Sequence, residues 1–227
     1  MNSGSRHRQQ CRRWQLSCQW KHSAVTVYAM TNLPYHHGRL RATLLAEAER
    51  TLREQGIDAL SLRDLARQAG VSHAAPRRHF GDRKALLDAL AHVGFTRLDR
   101  EIRAAITSAG DDFLTRLQAA STAFVRFAVR DAALVDLMFA AKNAGQSPVL
   151  SAASERLFAT VGDLIAQGQQ AGALPPGNPE RLRLLLVAVL QGIAVLVTSG
   201  RAQPAQADAL IADAVSLFAR SPAAEAT

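Results

Sequence analysis

Cysteine and tryptophan are almost missing from this sequence of 227 residues: two of each occur, all before residue 21. Two cysteines cannot build a disulfide framework, which excludes the stapled secreted class and fits a reducing cytoplasm. Aromatic residues amount to 5%, with 14 Gly and 8 Pro, while Ala, Leu and Arg dominate. That palette favours helix and argues against an all-β fold. Long apolar runs are scarce too. The best is residues 184–200, interrupted by Gln191 and Thr198 before it ends at Ser199-Gly200. Its 17 residues reach about 26 Å as a helix, short of a hydrocarbon core of roughly 30 Å, so burial between helices is expected and membrane insertion is not. Also missing are a Gly-rich phosphate loop, an H-E-x-x-H pair and a nucleophile motif with supporting context. No enzyme activity, cofactor or metal is therefore expected.

What is present in excess is positive charge, a net +8. Residues 1–29 hold five Lys/Arg and no acid, residues 30–92 hold ten against seven, and residues 93–227 hold twelve of each. Position matters more than the total. The first segment differs in composition from everything after Met30. Its His7, Cys11, Cys18 and His22 are zinc-binding residue types, but the spacing is not a usual finger pattern. An Arg-rich arm adding phosphate affinity is a second reading. The preferred one is a disordered basic leader over 1–33, or translated upstream sequence with Met30 as the true initiator.

From there the chain reads as punctuated helices. Leu40, Leu44, Ala48 and Leu52 recur at helical spacing and Gly56 follows, predicting a helix over 39–55. Ser61-Leu62-Arg63-Asp64 is a capping-box-like start to a helix of about nine residues, closed by Gly70. Ser72 is expected to cap a second short helix over 73–80, with Pro76 at its fourth position. Asp82 caps a longer one bearing Leu86, Leu87, Leu90 and Val93. Two short helices joined through Ala66, Gly70 and Val71 have the arithmetic of a helix-turn-helix. A plain helical hairpin with a solvated basic face fits the same pattern. In the first reading His73, Ala74, Arg77 and Arg78 are exposed to guanine edges and phosphates in a major groove.

Residues 38–95, with SLRDLARQAGVSHAAPRRHFGDRKALLDAL at their centre, resemble the DNA-binding domain of the tetracycline-repressor (TetR) family of bacterial regulators. The resemblance implies an all-α protein of about nine helices: a three-helix helix-turn-helix domain over 34–95 and a helical effector-binding and dimerisation domain over 96–227. It further implies a homodimer on a double-stranded palindromic DNA operator, with Ser61, Arg63 and Lys84 near the phosphates. Arg39 at the start of the first helix, the capping Ser72 and the packed or phosphate-facing His79 join that DNA-facing set. The family usually has Tyr where this chain has Arg77, and Leu or Val in place of Pro76. A cytoplasmic repressor is the expected function; a DNA-coating protein without sequence preference or ligand sensing is the alternative.

In the neutral half, Asp111-Asp112, Ser147-Pro148, Asn178-Pro179 and Gln203-Pro204 each predict a helix start, and Ala171-Gly172 a stop. FVRFAVRDAALVDLMF, GQQAGALPPGNPE and LLLVAVLQGIAVL are similar, in order, to the TetR branch named for a Trp-His-Gly motif. Val187 and Gln191 stand in place of its Trp and His, and only Gly192 remains. Phe124, Phe127, Met138, Phe139, Phe158 and Gln191 are the expected lining of a pocket for a small-molecule effector, with ordinary core packing as the alternative. The apolar segment and the final helix are expected to form a four-helix dimer interface.

Overall fold

The structure is a computed structural model that describes residues 37–143 and 147–219. The leader and its His/Cys spacing lie outside those residues. Nine α-helices are found among the described residues: α1 (His37–Gln55), α2 (Leu62–Gln68), α3 (Ala75–His79), α4 (Arg83–Ser108), α5 (Phe113–Arg130), α6 (Ala132–Asn143), α7 (Pro148–Gln170), α8 (Pro179–Thr198) and α9 (Pro204–Ala219). The all-α expectation holds.

Helix ends sit where short-range chemistry puts them. Asp82, Asp112, Ser147 and Asn178 each accept a bond from a backbone N–H of the following turn, satisfying donors that the helix leaves unpaired. Proline follows at the first position of α7 and α8, where no N–H is needed. At the end of α2, Gly70 adopts φ 64° while the Val71 N–H reaches the Ala66 carbonyl at 3.0 Å and the Gly70 N–H reaches that of Arg67 at 3.2 Å. This pair of bonds is a Schellman stop, and the positive φ it requires is nearly free only for glycine.

Helix α4 organises the rest. Its 26 residues span about 39 Å, and it packs on α5, α6 and α7 as well as on α1. Leu86 and Leu90 are buried towards the first helices; Phe95, Leu98 and Ile102 are buried further along. The boundary drawn at 95/96 therefore falls inside one continuous helix, and a single cluster of buried side chains extends from Leu40 to Val215. Where α4 meets α6 the Met138 side chain sits against the α4 backbone: a β-carbon on Gly94 would lie 2.5 Å from the Met138 sulfur.

Helix α8 corrects one expectation. The helix is longer than its apolar run, 20 residues or about 30 Å, so length does not argue against a membrane span. One side of the helix packs inside the protein. Arg183, Leu186, Leu190, Ile193, Ala194 and Val197 are buried, with α5, α7 and α9 as the neighbouring helices. Its other face, Leu184, Leu185, Val189, Val195 and Leu196, stays exposed on the chain. Among the described residues, the neighbouring helices thus cover one side only.

Candidate nucleic-acid interface

The geometry of α2 and α3 begins with two hydrogen bonds at Ser61. Its hydroxyl accepts from the Asp64 backbone N–H at 3.0 Å and donates to the Asp64 carboxylate at 2.6 Å. The Ser61 bonds, and then Arg67 at 3.2 Å, hold the Asp64 carboxyl below its usual range. Ser61, expected near phosphate, thus spends its hydroxyl on starting α2.

Helix α3 begins later than the sequence suggested. Ser72 makes no side-chain cap; its carbonyl accepts the Ala75 N–H at 2.9 Å in a turn, and the helix runs only from Ala75 to His79 with Ala74 at the N-cap position. Pro76 explains the delay. At the fourth helical position its missing N–H would break a ladder bond, whereas at the second position that N–H is unpaired in any helix. Pro76 is buried in this place, and the Phe80 N–H closes α3 on its carbonyl at 2.8 Å. Phe80 is itself buried, with the Arg41 guanidinium 5.3 Å above its ring.

With α3 fixed this way, His73, Ala74, Arg77 and Arg78 are all exposed. Three of them, with Arg63, line one groove of about 850 Å³ whose other walls are Leu62, Gly81, Asp82 and Arg83. Four of the ten residues expected to face DNA thus share one groove. His79 is half-buried. Lys84 is exposed and pairs with Asp88 at 2.9 Å, so a phosphate would have to exchange with that carboxylate. Arg39 lies in the first turn of α1, and its side chain is outside the described residues.

Arg83 was missed. Its guanidinium donates to the Leu60 carbonyl at 3.0 Å and to the Ile57 carbonyl at 2.6 Å, tying the loop before α2 to the start of α4. A loop carbonyl 26 residues away leaves no periodic trace in the sequence.

The expected effector lining does not gather in one place. Phe139 and Phe158 each meet Phe95 edge-on, at centroid distances of 6.5 and 6.3 Å. Met138 faces Gly94, Phe127 is buried beneath Arg130, and Gln191 is half-buried on α8. Of the six, Phe124 alone lines an apolar cavity formed by α4, α5, α7 and α8. Among the described residues, no group of three or more His, Cys, Asp or Glu comes together to hold a metal.

Known proteins align with this arrangement. Residues 44–90 match the family model for bacterial regulatory proteins of the tetR family, and residues 117–218 match that for the tetracyclin repressor-like C-terminal domain. A protein of unknown function from Rhodococcus sp. RHA1 is 41% identical over 82% of this chain and 97% of its own, with a TM-score of 0.75. The TetR family regulator PfmR from Thermus thermophilus is 20% identical over 79% of this chain and 98% of its own, with a TM-score of 0.61. A TetR-family regulator described as putative, from Rhodococcus sp., has the same identity and TM-score over 81% and 100%. These last two likenesses concern the fold. No curated protein matches the chain.

Proposed function

The chain belongs to the TetR family of bacterial DNA-binding transcriptional regulators, a family without enzymatic activity, and on that premise we propose that it is a sequence-specific repressor. In this reading it acts in the cytoplasm, binds a palindromic operator as a homodimer, and is released by a small-molecule effector without any cofactor. Within the family, the order of matching segments in the C-terminal half favours the Trp-His-Gly branch.

One observation carries the proposal: the convergence of Arg63, His73, Ala74 and Arg77 on one groove, with Arg78 exposed on the same short helix. Arginine offers a bidentate fork to the O6 and N7 of guanine, and a short helix presents few side chains, so those few set the sequence preference. Arg63 and Lys84 supply phosphate contacts that fix the register. The exposed apolar face of α8 supports the dimer, in which two recognition helices lie about 34 Å apart, one turn of DNA. Helix α4 supports the coupling. It begins at the DNA-facing end and reaches the apolar cavity at Ile102, so spreading the cavity tilts the helix that carries Lys84. A coupling of about 1–3 kcal/mol suffices to regulate binding.

Selection of duplexes from a random pool tests the reading. The expected product is a palindromic consensus bound about a thousand-fold or more tightly than a scrambled duplex. Equal competition by the scrambled duplex would favour the DNA-coating alternative and contradict the repressor.

A further inference from the structure

Buried hydroxyls on these helices ordinarily satisfy themselves. Ser154 donates to the Ser151 carbonyl at 2.9 Å, and Thr160 bonds both the Arg156 carbonyl at 3.0 Å and the Asp99 carboxylate at 2.6 Å. Ser121, in the middle of α5, departs from this pattern: it is 2% exposed, and its Oγ has no hydrogen-bond partner among the described residues. Only the Arg183 Nε shares that condition there, and the Arg183 guanidinium pairs with Glu180 and stacks on Phe158.

Ser121 lines the cavity already met through Phe124. The other walls come from α4, α5, α7 and α8, among them Ile102 of α4, Leu117 of α5, Leu164 of α7 and Val187 of α8. The space is about 30 Å³, and every lining side chain except Ser121 is a hydrocarbon. A buried water is held by about two to four polar partners, and this lining supplies one. A guest that brings its own apolar body suits the site better, because one hydroxyl or carbonyl on it completes Ser121 while the rest replaces hydrocarbon contacts. No lining residue is charged, so an ionised guest would enter without a counter-charge at high desolvation cost.

We infer that this cavity binds a small neutral amphiphile, a compact apolar body carrying a single hydrogen-bonding group as in a simple phenol, with Ser121 as the specificity-determining contact. This deepens the effector part of the functional reading and rests on it for its regulatory meaning. A ring is larger than the present space. Its entry therefore parts α5 and α8 and presses on Ile102, which is the displacement the reading requires.

Phenol and benzene, which differ by one hydroxyl, are the probes, titrated into the full chain by calorimetry or ligand-observed NMR. Phenol is expected to bind about ten-fold more tightly than benzene. Ser121→Ala should remove that preference by weakening phenol alone, and Val187→Phe, at the half-buried rim, should abolish binding of both while helical content is retained. Undetectable phenol binding, equal phenol affinity in wild type and Ser121→Ala, or indifference to Val187→Phe would overturn the site. Operator affinity measured alongside separates the two readings. Ser121-dependent phenol binding that leaves operator affinity unchanged upholds the site and contradicts release by an effector there.

Discussion

Around α2 and α3 the exposed charged side chains are mostly cationic: Arg63, Arg67, Arg77, Arg78, Arg83 and Lys84, with Asp82 among them. Along the outer face of α8 the exposed side chains are hydrocarbon: Leu184, Leu185, Val189, Val195 and Leu196. The two surfaces ask for different partners. A cationic groove is well solvated by itself and gains by releasing counterions from a polyanion, so its binding falls steeply with salt. A row of exposed aliphatic side chains gains only when another apolar surface covers it, and that gain is nearly insensitive to salt. One chain thus carries two independent means of association, and the functional reading assigns DNA to one and a second copy of the chain to the other.

Breaking the apolar surface has the largest expected effect. Leu185→Asp with Val195→Asp would bury unpaired carboxylates in the interface, and sedimentation should show dimer affinity reduced at least about a hundred-fold. Operator affinity should fall with it. Unchanged dimerisation would remove α8 from the interface. The cationic surface is tested next. Arg78→Ala should lower operator affinity by about 1–3 kcal/mol and relax the preference at one base position, while leaving the dimer intact; selection of duplexes with the variant checks both. Lys84→Ala should weaken all duplexes alike and lower the salt slope by about one per site.

A smaller effect is expected where the two regions join. Asp131, between α5 and α6, has a carboxylate only 2% exposed that accepts from Arg53 of α1 at 3.0 Å and Arg130 at 2.8 Å. Arg97 of α4 lies 3.8 Å away and holds Glu49 of α1 with two bonds of 2.7 and 2.8 Å. Glu49 chiefly raises the affinity of Arg97 for its proton, and Asp131 does the same for Arg130. In Asp131→Ala, Arg53 and Arg130 remain half-exposed and return to water, and Arg97 keeps Glu49. Urea unfolding should therefore show a loss of about 1–2 kcal/mol rather than collapse.

The smallest effect concerns pH. Burial, then the positive charges of Arg156 and Arg41, lower the pKa of His92 below its ordinary 6.5. The unfolded chain binds that proton more readily than the folded one, so His92 supports the fold above about pH 6.5 and withdraws support as pH falls towards its folded value. The stability difference between wild type and His92→Gln should narrow over that acidic interval, as chemical denaturation at each pH will show.

Much of this was legible in the sequence, for a local reason. Caps and stops such as Asp82, Asp112, Asn178 and Gly70 act within a few residues of the bonds they make, so their spacing survives in one dimension. The helix spacing of Leu40, Leu44, Ala48 and Leu52 survives too, and all four are buried. What was missed or placed elsewhere depends on partners distant in sequence or on a single competing residue. Pro76 moves the start of α3 past Ser72. Arg97 meets a carboxylate 48 residues earlier. Of the aromatic residues expected to line a pocket, Phe139 and Phe158 pack on Phe95 instead, because large flat side chains fill a core as well as they wall a cavity. The polar group in the cavity is Ser121 rather than Gln191; a serine in mid-helix carries no sign of whether its hydroxyl will find a carbonyl.

The central claim, a dimer reading a palindrome through α3, is tested most directly by a hydroxyl-radical footprint on a selected duplex. The account predicts two equivalent protected patches centred about 10 base pairs apart and related by the dyad. A single patch, or uniform protection along the duplex, would contradict it.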